Sequence, residues 1–361
     1  MNARPNALVY ARLMRTATAA LPRRILVCRI DNLGDVLMVF PALRWLKTHH
    51  PGLRIELVVR DYARALTQRC PWVDRVWLPD ELTQAVAARE PAPDAVFHLQ
   101  STRPLLRDCA AWGIPLRVGN LLRSAHWGRC NRWVVFSKRR MQEHESALAW
   151  RFFAAVFRDV PSAAQWQVLL QQDGWLRPAV RPQGTPGQPL RVLLHPGSNG
   201  NGRQWPQQHF ADLVQALHAR GHALAITGAA AERPALAGLL AGLPAGVDDL
   251  VGRCTLVEFI DLIASADCLV ASGTGPLHIA GASGTHAVGI FPPLVSYGAL
   301  RWRPIGPRVT TLQTPQPDPC TKRCTNLDCS CMAAVTPAQV MAAVLATPFV
   351  QTSPSAGPAQ P

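Results

Sequence analysis

The feature that most constrains the fold is an alternation of short apolar runs with helix-like segments, which occurs twice along the chain. The apolar run Ile25–Ile30 precedes a D-N-L-G turn, and apolar residues then recur at helical spacing over Val36–His49. Such alternation predicts a parallel sheet with crossover helices, so the chain is expected to be an α/β protein. Further strand candidates in the first half are Arg54–Arg60, Val73–Leu78, Ala95–Leu99, Val118 and Val134–Phe136, and further helix candidates are Leu82–Arg89 and His144–Phe157.

A proline- and glycine-rich stretch divides the pattern. Residues 177–189 contain four prolines and two glycines and can sustain neither a helix nor a central strand, which predicts an interdomain linker. A chain of 361 residues is also long for one core. We therefore expect one Rossmann-like domain at 24–176 and a second at 190–348, with a basic arm at 1–23 and a disordered tail at 349–361. Second-half strand candidates are Leu190–Leu194, Ala223–Ile226, Cys268–Val270 and Ala287–Phe291, and helix candidates are Pro206–Arg220, Leu256–Ala264 and Pro276–Ala282.

The charge balance predicts an anionic partner. The formal net charge is +14 and the sequence pI is about 10.1, yet no DNA- or RNA-binding motif is present, so nucleic acid is not expected. Phosphorylated lipids, acidic sugars and nucleotide phosphates fit this charge. No apolar stretch reaches the roughly 20 residues of a membrane-spanning helix, and arginines interrupt the apolar part of the arm. We expect a cytoplasmic protein that can rest peripherally on an anionic membrane surface.

Asp35 is the first candidate functional residue. It follows Gly34 at the carboxyl end of the first predicted strand, where open α/β sheets bind ligands. It also lies in the first turn of the next helix, where the helix dipole favours a carboxylate. Because aspartate is a preferred helix cap, the position alone leaves a capping role and a catalytic role equally open.

A second candidate site lies in the segment L-L-H-P-G-S-N-G-N-G-R-Q-W-P, where a strand runs into a glycine- and asparagine-rich loop and then a helix. Backbone N–H groups of such a loop, together with the helix dipole, favour an anionic phosphate over the alternative of a plain flexible turn. The loop is not a P-loop, because Arg203 and Gln204 replace the required lysine and hydroxyl residue. The candidate residues are Gly197, Ser198, Asn199 and Arg203.

A third segment, C-L-V-A-S-G-T-G-P-L-H, repeats the strand-to-helix arrangement. It lacks both the third glycine and the ribose-binding acid of a dinucleotide fingerprint, which disfavours NAD. Two phosphate-compatible loops in one domain suit a nucleoside diphosphate. The candidate residues are Ser272, Gly273, Thr274, Gly275, Pro276 and His278. A lone histidine on such a helix is often a packed side chain, so His278 is not interpreted as catalytic.

The ten cysteines are expected to be reduced. Four form a cluster with loose spacing, Cys320, Cys324, Cys329 and Cys331, which we predict to be a metal-free surface loop. No metal ligand and no cofactor are predicted. The other six are interpreted as small core residues: Cys28, Cys70, Cys109, Cys130, Cys254 and Cys268.

The three segments together resemble the heptosyltransferase family, glycosyltransferase family 9. The resemblance covers roughly 24–345 and includes R-I-L-V-C-R-I-D-N-L-G-D-V, L-H-P-G-S, R-Q-W-P, D-L-V-G-R-C-T-L-V-E-F-I-D-L-I-A-S-A-D, G-P-L-H-I-A and C-M-A-A-V-T-P-A-Q-V. It implies a GT-B fold, with two Rossmann-like domains facing each other across a cleft. It also implies an inverting enzyme that moves heptose from ADP-heptose to the inner core of lipopolysaccharide.

The resemblance assigns roles to individual positions. Asp35 matches the family's general base, Arg203 the basic residue that holds the donor diphosphate, and Thr274, Gly275 and His278 the nucleotide-binding segment. His144 matches a recurring histidine with no derivable role. Family members usually carry Asn-Asp-Ser/Thr-Gly where this chain has Ser272–Gly275, so Gly273 removes a carboxylate and leaves the donor sugar less defined.

The acceptor is expected to be anionic, and Arg60, Arg103 and Arg123 lie at or beyond strand ends where they could face acidic sugars. Two alternatives remain open: a GT-B transferase with another nucleotide sugar or a protein acceptor, and a non-catalytic nucleotide- or polyanion-binding protein. The acceptor hydroxyl, the linkage and the oligomeric state cannot be read from the sequence.

Overall fold

The structure is a computed structural model, and it describes residues 20–137, 143–171, 175–176, 188–198, 200, 202–315 and 329–347. Several sequence predictions concern residues outside these ranges: most of the basic arm, linker residues 177–187, the tail, Asn199, Cys320 and Cys324.

The first half of the described chain forms a parallel six-stranded sheet. Its strand order is 3-2-1-4-5-6, so the chain direction along the sheet reverses between the first and fourth strands, as in dinucleotide-binding folds. Strands 1 and 4 are hydrogen-bonded neighbours and are buried along most of their length. The strands are β1 (Arg24–Arg29), β2 (Arg54–Val58), β3 (Arg75–Trp77), β4 (Ala95–Gln100), β5 (Leu116–Asn120) and β6 (Arg132–Val134).

The second half forms another parallel six-stranded sheet with the same topology. Its first strand lies beside its fourth, and the order runs outward from this central pair on both sides. The two central strands are continuous apolar runs, because both faces of a parallel sheet are covered. The strands are β7 (Arg191–His195), β8 (Ala223–Ile226), β9 (Asp248–Asp249), β10 (Cys268–Ser272), β11 (His286–Ile290) and β12 (Val309–Leu312).

Helices follow most strands in both halves. The predicted helices at 82–89, 144–157, 206–220, 256–264 and 276–282 are confirmed to within a few residues. The helices are α1 (Leu33–Leu37), α2 (Phe40–His49), α3 (Arg64–Gln68), α4 (Pro79–Ala87), α5 (Arg103–Ala111), α6 (Ala147–Phe153), α7 (Ala163–Gln171), α8 (Gln207–His218), α9 (Arg233–Ala241), α10 (Leu256–Ser265), α11 (Gly275–Ser283), α12 (Ala299–Trp302), α13 (Ser330–Ala333) and α14 (Pro337–Leu345).

The single helix predicted over Val36–His49 is wrong. The structure has two helices, α1 and α2, separated at Met38 and Val39. Pro41 explains the break, because a proline donates no N–H to the preceding turn and its ring clashes with the carbonyl four residues before it. Pro41 therefore lies in the first turn of α2, the position that helices tolerate best.

This break coincides with a boundary between two compact units. Of the described residues, one unit contains 20–31 together with 39–137 and 146–163. The other contains the described residues from Ala164 onward and two segments from earlier in the chain, 32–38 and 143–145. Asp35 thus belongs to the same unit as the second sheet, although its place in the sequence follows β1.

Each unit has its own apolar core. In the first, residues of β1, β4 and α5 pack with Trp77, Trp112 and Ile114. In the second, Trp205, Phe210 and Phe291 are fully buried. Cys329 and Cys331 are buried beside Met332 in this second core, so the prediction of a surface loop is wrong for these two residues. No helix in the described part of the chain is long and apolar enough to span a membrane.

Candidate active site

The candidate site of the second unit lies where its sheet changes direction. β7 and β10 are parallel neighbours, with His195 beside Ala271 at their carboxyl ends. The loops that follow them therefore leave the same edge of the sheet. In this class of sheet, ligands bind outside the carboxyl ends at that point. The two glycine-containing segments identified in the sequence are thus neighbours in space.

Direct contacts join the two loops. The backbone N–H of Trp205 donates a hydrogen bond to the Ser272 hydroxyl at 3.1 Å, and Ser272 is fully buried. A methyl group built on Gly202 would lie 3.7 Å from the carbonyl oxygen of Gly273. Because the Trp205 indole N–H also donates to the Val335 carbonyl at 2.7 Å, the first loop is anchored on both sides.

The first loop is closely folded around Ser198. Its buried hydroxyl accepts a hydrogen bond from the Gln204 amide at 2.8 Å and donates one to the Gly202 carbonyl at 3.4 Å. Any side chain at Gly197 would collide with the Glu232 carboxylate, whose nearest oxygen lies 2.1 Å from the position of a Cβ. A side chain at position 197 would therefore displace the Glu232 carboxylate. Arg203 is half-buried and follows directly on this turn.

The second loop leads into the N-terminus of α11. Thr274 occupies the N-cap, but its side chain makes no capping hydrogen bond. Its hydroxyl oxygen is buried and, among the described residues, has no hydrogen-bond partner. Pro276 lies in the first turn, and the positive end of the helix dipole lies here. The loop thus combines an unused hydroxyl group with the partial positive charge that favours a phosphate.

The packing around position 273 gives a steric reason for the glycine found there. A Cβ atom at this position would lie 2.5 Å from Cε1 of Phe291, a fully buried ring that follows β11. The aspartate usual in the family would therefore require Phe291 to move. The Phe291 ring thus occupies the space that an aspartate side chain at position 273 would need.

Helix α1 brings Asp35 to α11. The ring of His278 lies against Gly34, where a Cβ would come within 2.8 Å of its Cδ2. Leu33 lies close to Gly275, 3.6 Å from the position of a Cβ. Asp35 is 9% exposed, and the N-cap of α1 is Asn32. Asp35 is therefore not the cap residue itself, and it belongs to a segment packed on the helix whose N-terminus forms the second loop.

Two buried histidines, His278 and His144, belong to this region. Burial, and secondarily the charge of His144, lowers the pKa of His278 to about 3, so its ring is neutral at physiological pH. Burial also lowers the pKa of His144, and its Nε2–H donates to the Arg303 carbonyl at 2.8 Å. The sequence resemblance gave His144 no role; the structure shows that it attaches residues 143–145 to the second unit.

Several residues of this region were not found by sequence reasoning. Glu145 is fully buried and accepts two hydrogen bonds from the Arg301 guanidinium, at 2.9 and 2.7 Å. The partners are 156 residues apart, and no local pattern joins them. Glu232 and Phe291 were missed for the same reason, since each matters only through a glycine distant in sequence.

The three candidate acceptor arginines belong to the first unit. Arg60, Arg103 and Arg123 follow β2, β4 and β5, so all three lie at the carboxyl edge of that sheet. Arg60 and Arg103 are exposed. Arg123 is half-buried and donates to the Gln100 side chain at 2.7 Å, and burial lowers the pKa of its guanidinium. The structure thus brings them to one edge of one sheet.

Gly34→Ala tests the packing of α1 on α11. A methyl group 2.8 Å from the buried His278 ring is expected to destabilise the fold by about 1–3 kcal/mol, as in other overpacked sites. Gly238→Ala is the matched control, because Gly238 also lies in a helix but a Cβ there meets nothing within 4 Å. This control is expected to gain about 0.5–1 kcal/mol. Denaturant unfolding of both variants measures the difference; equal stability would contradict the contact.

The comparisons with known proteins agree with this architecture. The sequence profile of glycosyltransferase family 9 (heptosyltransferase) matches residues 111–330, more than half of the chain. The lipooligosaccharide heptosyltransferase 2 of Haemophilus influenzae is 23% identical over 298 residues, covering 74% of this chain and 83% of that protein.

Solved structures give the same result for the fold. The Escherichia coli ADP-heptose lipopolysaccharide heptosyltransferase II matches with a TM-score of 0.70 at 19% identity, covering 89% of this chain and 98% of that one. The E. coli heptosyltransferase WaaC with ADP-2-deoxy-2-fluoro heptose matches with a TM-score of 0.62 at 18% identity, covering 88% and 97%. The protein therefore has the GT-B fold class expected from the sequence and is a glycosyltransferase. It belongs to glycosyltransferase family 9, the heptosyltransferase family.

Proposed function

We propose that this enzyme transfers heptose from ADP-heptose to the inner core of lipopolysaccharide with inversion at the anomeric carbon. The packing of the Asp35 segment on α11 is the observation that carries the proposal, because it brings a carboxylate and two phosphate-compatible loops into one unit. Relatives named as heptosyltransferases, and a structural neighbour solved with an ADP-heptose analogue, support this donor and acceptor.

The proposed reaction needs a base for the acceptor hydroxyl and positively charged groups for the leaving diphosphate. The Asp35 carboxylate takes the proton from the acceptor hydroxyl, and that oxygen attacks the anomeric carbon from the face opposite ADP. The bond between the anomeric carbon and the diphosphate oxygen breaks, and ADP leaves with the electron pair. Arg203 and the N-terminus of α11 stabilise the negative charge that develops on the diphosphate. The catalytic residue in this proposal is Asp35, and Arg203 is a donor-binding residue.

The neutral His278 fits a positioning role. Because its pKa is lowered to about 3, it adds no charge beside Asp35 at physiological pH. It is 4% exposed, and its contact with Gly34 holds α1 against α11. We infer that it keeps the aspartate segment in register with the donor loops and does not itself exchange a proton.

A panel of nucleotide sugars tests the donor assignment. The enzyme is incubated with a truncated lipid A–Kdo acceptor and, in separate reactions, ADP-heptose, ADP-glucose, UDP-glucose and GDP-mannose. ADP-heptose is expected to give the highest turnover, with one ADP released per acceptor modified. A faster reaction with another donor would favour the alternative of a different sugar specificity, consistent with Gly273. Binding of ADP without transfer from any donor would favour a non-catalytic role.

We further propose that the acceptor is anionic and is reached at the cytoplasmic face of the membrane. The net charge of +14 and the three arginines at one sheet edge support this placement. Neutralising Arg60, Arg103 and Arg123 together is expected to raise the acceptor KM roughly tenfold, since three partly screened contacts of about 0.5 kcal/mol each amount to that factor. Steady-state kinetics with varied acceptor measures this effect.

A second triple variant controls for total charge. Arg54, Arg89 and Arg132 lie at or before the amino ends of strands in the same unit, and their neutralisation removes the same charge from the opposite edge. The donor KM should be unchanged in both variants. Equal acceptor KM values for the two triple variants would contradict a specific acceptor surface at the carboxyl edge.

A further inference from the structure

A cluster of metal-ligating side chains lies in the first unit. Cys28 of β1 and His98 of β4 are register partners on neighbouring parallel strands, so their side chains leave the sheet on the same face. Helix α5 covers that face and contributes Cys109 to the same core. All three residues have 0% exposure. A strand pair and one helix thus bring together residues that are 11 and 70 positions apart.

The three ligand atoms are close enough to share an ion. The two sulfur atoms and a ring nitrogen of His98 all lie within 4.8 Å of one another. Zinc binds thiolate sulfur at about 2.3 Å and imidazole nitrogen at about 2.0–2.1 Å. A tetrahedral ion then separates its ligand atoms by somewhat under 4 Å, so small side-chain rotations close the remaining gap. Two thiolates and one imidazole form a donor set typical of zinc.

His98 carries the independent observation. Its Nδ1 lies 2.8 Å from the Ser101 hydroxyl oxygen, while its Nε2 is buried and has no hydrogen-bond partner among the described residues. A buried polar atom without a partner is costly. If Nδ1–H donates to Ser101, Nε2 keeps its lone pair, and this is the arrangement that metal-bound histidines commonly show. An ion bound at Nε2 would satisfy this nitrogen.

Strand β5, the neighbour of β4, contains a glycine whose missing side chain leaves space for other side chains. Val118 of β5 pairs with Phe97 of β4, and Gly119 is the next residue of β5. A Cβ on Gly119 would lie 2.5 Å from both the Cys130 Sγ and the His126 Nδ1. The glycine therefore leaves room for the Cys130 and His126 side chains, and the His126 ring centroid lies 6.0 Å from that of His98. These atoms extend the polar character of an otherwise apolar core.

We propose that Cys28, His98 and Cys109 form a binding site for a thiophilic transition-metal ion, with Zn²⁺ as the expected occupant. Both thiols lose their protons when the ion binds, and His98 binds as the neutral imidazole. The ion would join α5 to the two central strands of the first sheet, a structural role separate from glycosyl transfer. This role revises the interpretation of Cys28 and Cys109 as simple small core residues.

Elemental analysis of protein purified without chelator tests the site. The background variant Cys320→Ser/Cys324→Ser excludes a contribution from the cysteine cluster near the C-terminus, and it is expected to retain about one equivalent of zinc. Adding Cys28→Ser and Cys109→Ser should remove that equivalent. Cys70→Ser is the matched control, because Cys70 is a buried thiol of the same unit outside the cluster.

Cobalt substitution supplies a second measurement. Cobalt bound by the background variant is expected to show a thiolate-to-metal charge-transfer band, which His98→Gln should weaken or shift. A folded background variant that contains no transition metal would overturn the proposal. A disulfide between Cys28 and Cys109 in protein purified under reducing conditions would overturn it as well, as would unchanged zinc content after the two cysteines are replaced.

Discussion

Arg203→Ala is expected to weaken ADP binding at least tenfold. A charge-assisted hydrogen bond to a diphosphate contributes about 1.5–3 kcal/mol, and alanine removes both the charge and the bidentate geometry. The expectation depends on the position of Arg203 directly after the Ser198 turn, beside the loop that ends at the N-terminus of α11. Isothermal titration calorimetry with ADP measures the affinity.

Two further variants separate a specific contact from a general charge effect. Arg203→Lys keeps the positive charge but loses the planar fork, so its affinity should lie between those of the wild type and the alanine variant. Arg220→Ala removes an exposed arginine that donates to the Ala216 carbonyl at the end of α8, and it should bind ADP normally. Unchanged ADP affinity in Arg203→Ala would remove Arg203 from the donor site.

The parts of this fold that the sequence predicts well are those with strong local signals. β1, β7 and β10 are apolar runs that end in glycine-containing turns, and each is a central strand of its sheet. Because parallel central strands are buried on both faces, they need continuous apolar residues and are easily recognised. The short edge strands β6, β9 and β12 carry little such signal, and neither β9 nor β12 was predicted.

The assignment of Asp35 to a unit could not have been predicted from sequence. Its segment lies between β1 and α2, two elements of the first unit, yet it packs on α11 more than 230 residues later. The only local indication is Pro41, which breaks the helix and allows the segment to part from α2. The contact itself depends on Gly34, whose missing side chain has no visible purpose until His278 is placed beside it.

Gly273 in the donor loop is a second feature that the sequence alone could not explain. Sequence comparison with the family pattern reports a missing aspartate but gives no reason for it. The structure supplies one, because the Phe291 ring occupies the space that a side chain at 273 would need. Likewise, the convergence of Cys28, His98 and Cys109 follows from strand register and helix packing, which spacing along the chain does not encode.

Asp35→Asn is expected to slow glycosyl transfer by roughly 10²–10⁴-fold, the usual effect of losing a general base. Asparagine keeps the size and much of the capping ability of aspartate but cannot accept the proton of the acceptor hydroxyl. A purely structural role predicts a different result, because loss of a cap costs about 1 kcal/mol of stability and leaves turnover intact. Because the N-cap of α1 is Asn32 and not Asp35, the structure already favours the catalytic role over the capping role.

Asp80→Asn is the matched control for this substitution. Asp80 is also an aspartate in the first turn of a helix, α4, and it is exposed. Its replacement removes the same favourable interaction with the helix dipole, worth about 0.3–1 kcal/mol. It should leave the rate of transfer unchanged. A similar loss of rate in both variants would point to helix stability as the cause.

The most direct test of the central claim is the single-turnover rate of heptose transfer by Asp35→Asn at saturating ADP-heptose, with ADP affinity measured on the same preparation. Normal ADP affinity, a melting temperature lowered no more than that of Asp80→Asn and a rate at least a hundredfold below that of the wild type are expected. A near-normal rate constant, or a defect confined to a lowered melting temperature, would contradict the assignment of Asp35 as the general base.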